Sequence, residues 1–173
     1  MENKHECSFV DIFEDKSNNV LVLGIGNFLM GDEGVGVHIV QRMEKMKLPE
    51  HIDVLDGGTG GFFLMNVFDE YKKIIMIDAT MDGKPAGTIK IIRPKFASDY
   101  PKTLSVHDVG LKDMIEALYL QEKLPDIYLM TISIEVIHPM KIGLSQAVES
   151  VVQRAIEKIL DVGNKLYKEL NQE

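Results

Sequence analysis

Residues 20–36 read VLVLGIGNFLMGDEGVG. The first six form an apolar run closed by glycines, too short for a buried helix and typical of a strand covered on both faces. From Val35 onward the period changes. Val35, Ile39, Val40 and Met43 recur at helical spacing while Gln41, Arg42, Glu44 and Lys45 occupy the other face, so a helix follows and ends before Pro49. A buried strand, a glycine-rich turn and an amphipathic helix make the opening half of a parallel strand-helix-strand unit.

The alternation continues outward from there. Ile52 to Leu55 forms a compact second strand, Asp56 to Gly61 a glycine-rich turn, and Phe62 to Phe68 an apolar helical stretch. Lys73 to Ala79 is a third buried strand. Gly87 to Ile92 is a fourth, placed near an edge because Pro94 follows and lacks a ladder donor. Leu111, Ile115 and Leu118 share one face of a helix over Val109 to Leu120, and Asp126 to Ile134 is a fifth strand. The last segment, Ser145 to about Leu170, carries Val148, Val152, Ile156, Ile159 and Leu160 as a helical stripe with Ser145 as its cap. The fold class is therefore α/β: three layers, with a mostly parallel twisted sheet of about five strands between helices on both faces.

Composition bounds the rest. A chain of 173 residues with 45% hydrophobic content suits one domain, placed at residues 20–173 behind a polar extension over residues 1–19. A net charge of −8 opposes a nucleic-acid ligand, whose affinity comes from clustered Lys and Arg. Cys7 is the one cysteine, so no internal disulfide forms and the chain suits a reducing cytoplasm. No run approaches the about 18 apolar residues of a membrane span, and the first nineteen hold no signal-peptide stretch. Cys7 and His5 in that polar segment fall short of a closed metal site.

In parallel sheets, ligands gather where the connecting loops leave the carboxyl ends of the strands. That edge receives Asp32 and Glu33 after the first strand, Asp56 after the second, Asp78 after the third, and His107 ahead of the 109–120 helix. Each has a structural explanation by itself: a helix cap for Asp32 and Glu33, loop amides for Asp78, a loop hydrogen bond for His107. Together, Glu33, Asp78 and His107 compose a two-carboxylate, one-imidazole set with open positions, suited to a borderline divalent ion such as zinc or nickel. Glu135 and His138, beyond the fifth strand, are weaker candidates that could instead shape a pocket wall. His38 and His51 have structural readings in an amphipathic helix and at a strand entrance.

Other chemistries fit poorly. The dinucleotide fingerprint needs glycine where Leu29 stands, although Asp56 is placed like a ribose-binding acid. A phosphate loop needs Lys and Ser or Thr where Asp32 and Glu33 follow Gly31. No G-x-S-x-G elbow or HExxH helix occurs.

GIGNFLMGDEGVGV, LDGGTGG, IIMIDA and SVHDVGL occur in this order, with Asn27, Leu29, Asp32, Glu33 and Gly36 filling N-x-L-x-x-D-E-x-x-G and His107, Gly110 and Leu111 filling H-x-x-G-L. In these motifs the chain resembles the hydrogenase maturation endopeptidases, from about Val20 to the last helix. The resemblance implies a protease, of a type also classed as aspartic, that removes a C-terminal extension from a nickel-iron hydrogenase large-subunit precursor after nickel insertion. It implies Glu33, Asp78 and His107 as ligands of nickel brought by the substrate, a site that zinc or cadmium would also occupy. Asp32 and Asp56 are expected to orient those ligands. A non-proteolytic assembly factor is the alternative reading of the same resemblance. The 1–19 extension and the SIEVIHPMKIGLS loop with His138 depart from the family pattern.

Overall fold

The computed structural model describes residues 16–60, 64–94, 99, 115–121 and 124–172. Five strands form one sheet: β1 (Val20–Ile25), β2 (Ile52–Gly58), β3 (Lys73–Thr80), β4 (Ile89–Ile92) and β5 (Asp126–Ser133), in the order β2-β1-β3-β5-β4. β1 pairs in parallel with β2 and β3, and β3 with β5, whereas β4 runs antiparallel on the edge beside β5. Helices α1 (Val35–Met43), α4 (Gln146–Glu149) and α5 (Val152–Leu170) cover one face. On the other lie α2 (Met65–Glu70) and α3, of which residues 115–120 are described.

Alternating side chains on each strand serve the two layers. Val20, Val22, Ile75, Ile77, Met130 and Ile132 pack against α1 and α5, and Leu21, Leu23, Ile74, Met76, Ile127 and Leu129 pack against α2 and α3. Both faces of β1 and β3 are covered along their whole length, which is why β1 and the Ile74 to Ile77 stretch of β3 are unbroken apolar runs. Among the described residues no helix is long and apolar enough to cross a membrane.

Several boundaries differ from the sequence expectation. β4 begins at Ile89, because Gly87 has φ +82, outside the extended region. β2 runs on through Asp56 to Gly58, its end held beside Gly24 and Ile25 across a bulge, so the expected turn starts later. The described helix before β3 is Met65–Glu70, and Phe62 lies outside the described residues. The expected long last helix is two helices. Ser145 caps the first, accepting from Val148 N at 3.3 Å, but Val151 N then bonds Val148 O, a tightened turn that separates α4 from α5. At this break the chain before β4 packs closely: a Cβ on Gly87 would stand 2.8 Å from Ala147 O.

At the amino edge, Asn19 donates to Asp53 Oδ2 at 3.1 Å and joins the segment before β1 to β2. His51 stacks on Tyr167 at 4.0 Å and pairs with Asn164 at 2.9 Å, so its role at the strand entrance is to hold α5.

Candidate metal centre

The carboxyl edge of β1 and β3 is shaped by backbone contact. A Cβ on Gly36 would lie 2.3 Å from Ile77 O and 2.4 Å from Ile25 O, so the start of α1 sits directly on the ends of both strands. Gly24 matches it from below, its Cβ position lying 2.3 Å from Gly36 O. The 3-10 turn Gly31–Gly34 that leads into α1 is thereby pressed against β3, and the Glu33 it carries is 0% exposed. Glu33 Oε2 accepts from Asn27 N, which closes the loop after β1 around the carboxylate.

Asp78 enters the same edge from β3. Gly24 pairs with Ile77, so Asp78 follows directly after that level of the sheet, beside its register partner Thr131 on β5. Asp78 is 0% exposed, and its Oδ1 accepts from Ala79 N at 2.7 Å. Thr80, Thr131 and Ser133, all buried, line the adjoining strand ends. Sequence reading passed over these hydroxyls; their signal was a polar residue closing an otherwise apolar strand. Asp78 shares a strand face with Ile74 and Met76, the face covered by α2 and α3. His107 lies outside the described residues. Among the described residues no three His, Cys, Asp or Glu side chains converge; Glu33 and Asp78 are the two expected ligands that can be placed. Their oxygen donors suit hard and borderline divalent ions.

The remaining candidates separate. Asp32 is not a helix cap for the turn it stands in; its Oδ1 accepts from Ser145 N, joining the Glu33 turn to the start of α4. Asp56 is exposed on the α1 side of β2, where its carboxylate accepts from Gly58 N and Gln41 Nε2, both at 3.0 Å. Its described hydrogen bonds therefore shape the end of β2 and reach α1, not Glu33 or Asp78. Glu135 and His138 line a cleft of about 400 Å³ with Asp32 and Ser145, and Glu135 Oε1 accepts weakly from Ala86 N at 3.4 Å. Both residues stand in the wall of that cleft. A dinucleotide is disfavoured here, since the turn after β1 offers buried carboxylates where a pyrophosphate would need amides.

Solved structures share this architecture. The hydrogenase maturating endopeptidase HybD from Escherichia coli superposes with a TM-score of 0.76 at 32% identity, over 85% of this chain and 93% of its own. A nickel-iron hydrogenase maturation protease from Thermococcus kodakarensis gives 0.69 at 26% identity, over 84% and 99%. The hydrogenase 2 maturation protease of Escherichia coli is 35% identical over 145 residues, which is 82% of this chain and 88% of that protein. The family model for hydrogenase maturation proteases matches residues 37–162. The chain belongs to the hydrogenase maturation protease family. It is a hydrolase, an endopeptidase, and its five-stranded α/β sheet is that of its relatives.

One histidine of this protease is part of the fold. His38 on α1 packs against Phe28 at 4.5 Å, and its Nε2 is buried with no hydrogen-bond partner among the described residues. Burial, and then the Arg42 charge, lower its pKa; the carboxylates of Glu149 and Asp32 oppose them. Because the folded state prefers the neutral ring, its contribution is full above the ordinary value of 6.5 and is lost as pH falls through the lowered one. The melting temperature should therefore fall as the pH drops below 6.5, and His38→Gln should flatten that slope. A slope identical in the two proteins would remove His38 from the account.

Proposed function

We propose that this protease removes the C-terminal extension of a nickel-iron hydrogenase large-subunit precursor after nickel insertion, and that Glu33, Asp78 and His107 receive the nickel that the precursor carries. The reading is carried by two fully buried carboxylates, Glu33 and Asp78, at neighbouring strand ends of the family fold. Burying carboxylates is costly, and a divalent cation arriving with the substrate would offset that cost. Zinc or cadmium would satisfy the same donors.

The chain's own residues bind and orient. Asn27 N holds Glu33 through Oε2, Ala79 N holds Asp78 through Oδ1, and the Asp32 link to Ser145 steadies the turn between them. Held in this way, the precursor's scissile segment stays beside the site, and proximity supplies much of the rate. A divalent ion bound there supplies Lewis-acid polarisation of a peptide carbonyl or of water. Cleavage would then depend on prior metal insertion, in the cytoplasm where the single-cysteine composition is at home.

The direct test is incubation with hydrogenase large-subunit precursors, loaded with nickel or free of it, followed by intact-mass measurement. The nickel-loaded precursor should lose a C-terminal peptide and the nickel-free one should not. A precursor that is bound yet keeps its full mass would identify an assembly factor and overturn the reading.

A further inference from the structure

Among the described residues, five of the eight exposed large apolar side chains lie at the edge that holds Glu33 and Asp78. Leu29 follows β1, Met81 follows β3, and Val136, Met140 and Ile142 follow β5, with exposures of 46%, 44%, 51%, 87% and 66%. Of these loops, the first and last are joined. Gly31 N donates to Lys141 O at 2.8 Å, Lys141 N donates to Leu29 O at 3.0 Å, and Met30 and Lys141 form a parallel bridge. Asp32 completes the clamp through Ser145 N. Leu29, Met140 and Ile142 are thus mounted on the backbone of the turn that carries Glu33.

Met140 adds a second observation. Its φ is +59, the single positive value among the described non-glycine residues. Unbranched residues adopt that conformation only at a cost. No internal packing compensates for it, because the side chain is the most exposed large apolar group described. Strain that holds a methionine in water points to contact with something outside the chain.

We propose that Leu29, Met140 and Ile142 form a docking ridge that selects the substrate, and that its occupant is an apolar depression on the folded body of the substrate protein beside the cleaved segment. The proposal rests on the functional reading above, since a protein substrate must approach this edge to reach Glu33. Shape decides between the folded body and the cleaved tail. The side chains that stand furthest out, Met140 at 87% and Ile142 at 66% exposure, fit a concave surface, whereas an extended peptide is received by a groove or by a strand edge. The hydrogen-bonded mounting keeps the ridge pre-ordered, so little freedom is lost on docking.

The test compares the wild-type chain with Met140→Lys/Ile142→Lys and with Met140→Gly, using nickel-loaded large-subunit precursor as substrate. The double variant should raise KM at least tenfold with kcat within twofold, and melt at the wild-type temperature. Met140→Gly should melt no lower than wild type, being relieved of the positive φ, yet still raise KM. A purely structural role would leave KM unmoved in both. An unchanged KM with normal cleavage overturns the ridge alone, whereas no cleavage by the wild-type chain overturns the functional reading and the partner with it. A concentration-dependent dimer that the double substitution dissolves, with KM unmoved, would assign the ridge to self-association and likewise overturn the proposal.

Discussion

Asp78→Asn and Glu33→Gln should each slow cleavage of nickel-loaded precursor by more than about 100-fold, because loss of even an outer hydrogen-bond partner of a metal ligand costs about 10–100-fold. Both substitutions preserve volume, and both retain an oxygen to accept from Ala79 N and Asn27 N. Each also removes a buried negative charge, so the variants should melt no lower than wild type. Activity and stability are expected to part company, which is the signature of residues kept for chemistry. Single-turnover cleavage followed by mass spectrometry, alongside thermal denaturation, reads both. Near wild-type rates in the two variants would eliminate these carboxylates as the metal site.

Gly36→Ala should have the largest effect on the fold. Helix propensity alone favours Ala over Gly by about 1 kcal/mol. Packing opposes it: the added Cβ would stand 2.3 Å from Ile77 O and 2.4 Å from Ile25 O, backbone atoms that cannot rotate aside. Overpacking of this kind costs about 3 kcal/mol and decides the sign. The net loss of about 2 kcal/mol should lower the melting temperature by roughly 4–8 °C. Cleavage should fall too, since lifting α1 from the strand ends also lifts the Gly31–Gly34 turn and its Glu33 away from Asp78. A melting temperature equal to or above wild type would show that propensity outweighs the clash.

Much of this was legible beforehand. β1 was read from its apolar run with the bounds observed, and β3 and β5 within a residue, because a strand buried on both faces leaves a local record in composition. The edge position of β4 followed from Pro94. Less visible was the division of the last helix, since the stripe from Val148 to Ile159 is continuous while the break at Val151 accompanies packing against Gly87, some sixty residues earlier. Asp32 illustrates the same limit: its partner is Ser145, 113 residues away, and a cap for its own turn was the nearer guess.

For this protein the sequence by itself determined the α/β class, the strands and the row of acidic residues at their carboxyl ends, since each depends on the polarity and spacing of near neighbours. Only the tertiary structure decided how those acids differ. Asp56 stands on the face of α1 and makes its hydrogen bonds there, Asp78 stands on the face of α2 and α3, and Glu33 is brought to the Asp78 end by the contact of Gly36 with two strands. The reason is physical: strand register and the close approach of backbones are settled between distant segments, where no local pattern records them.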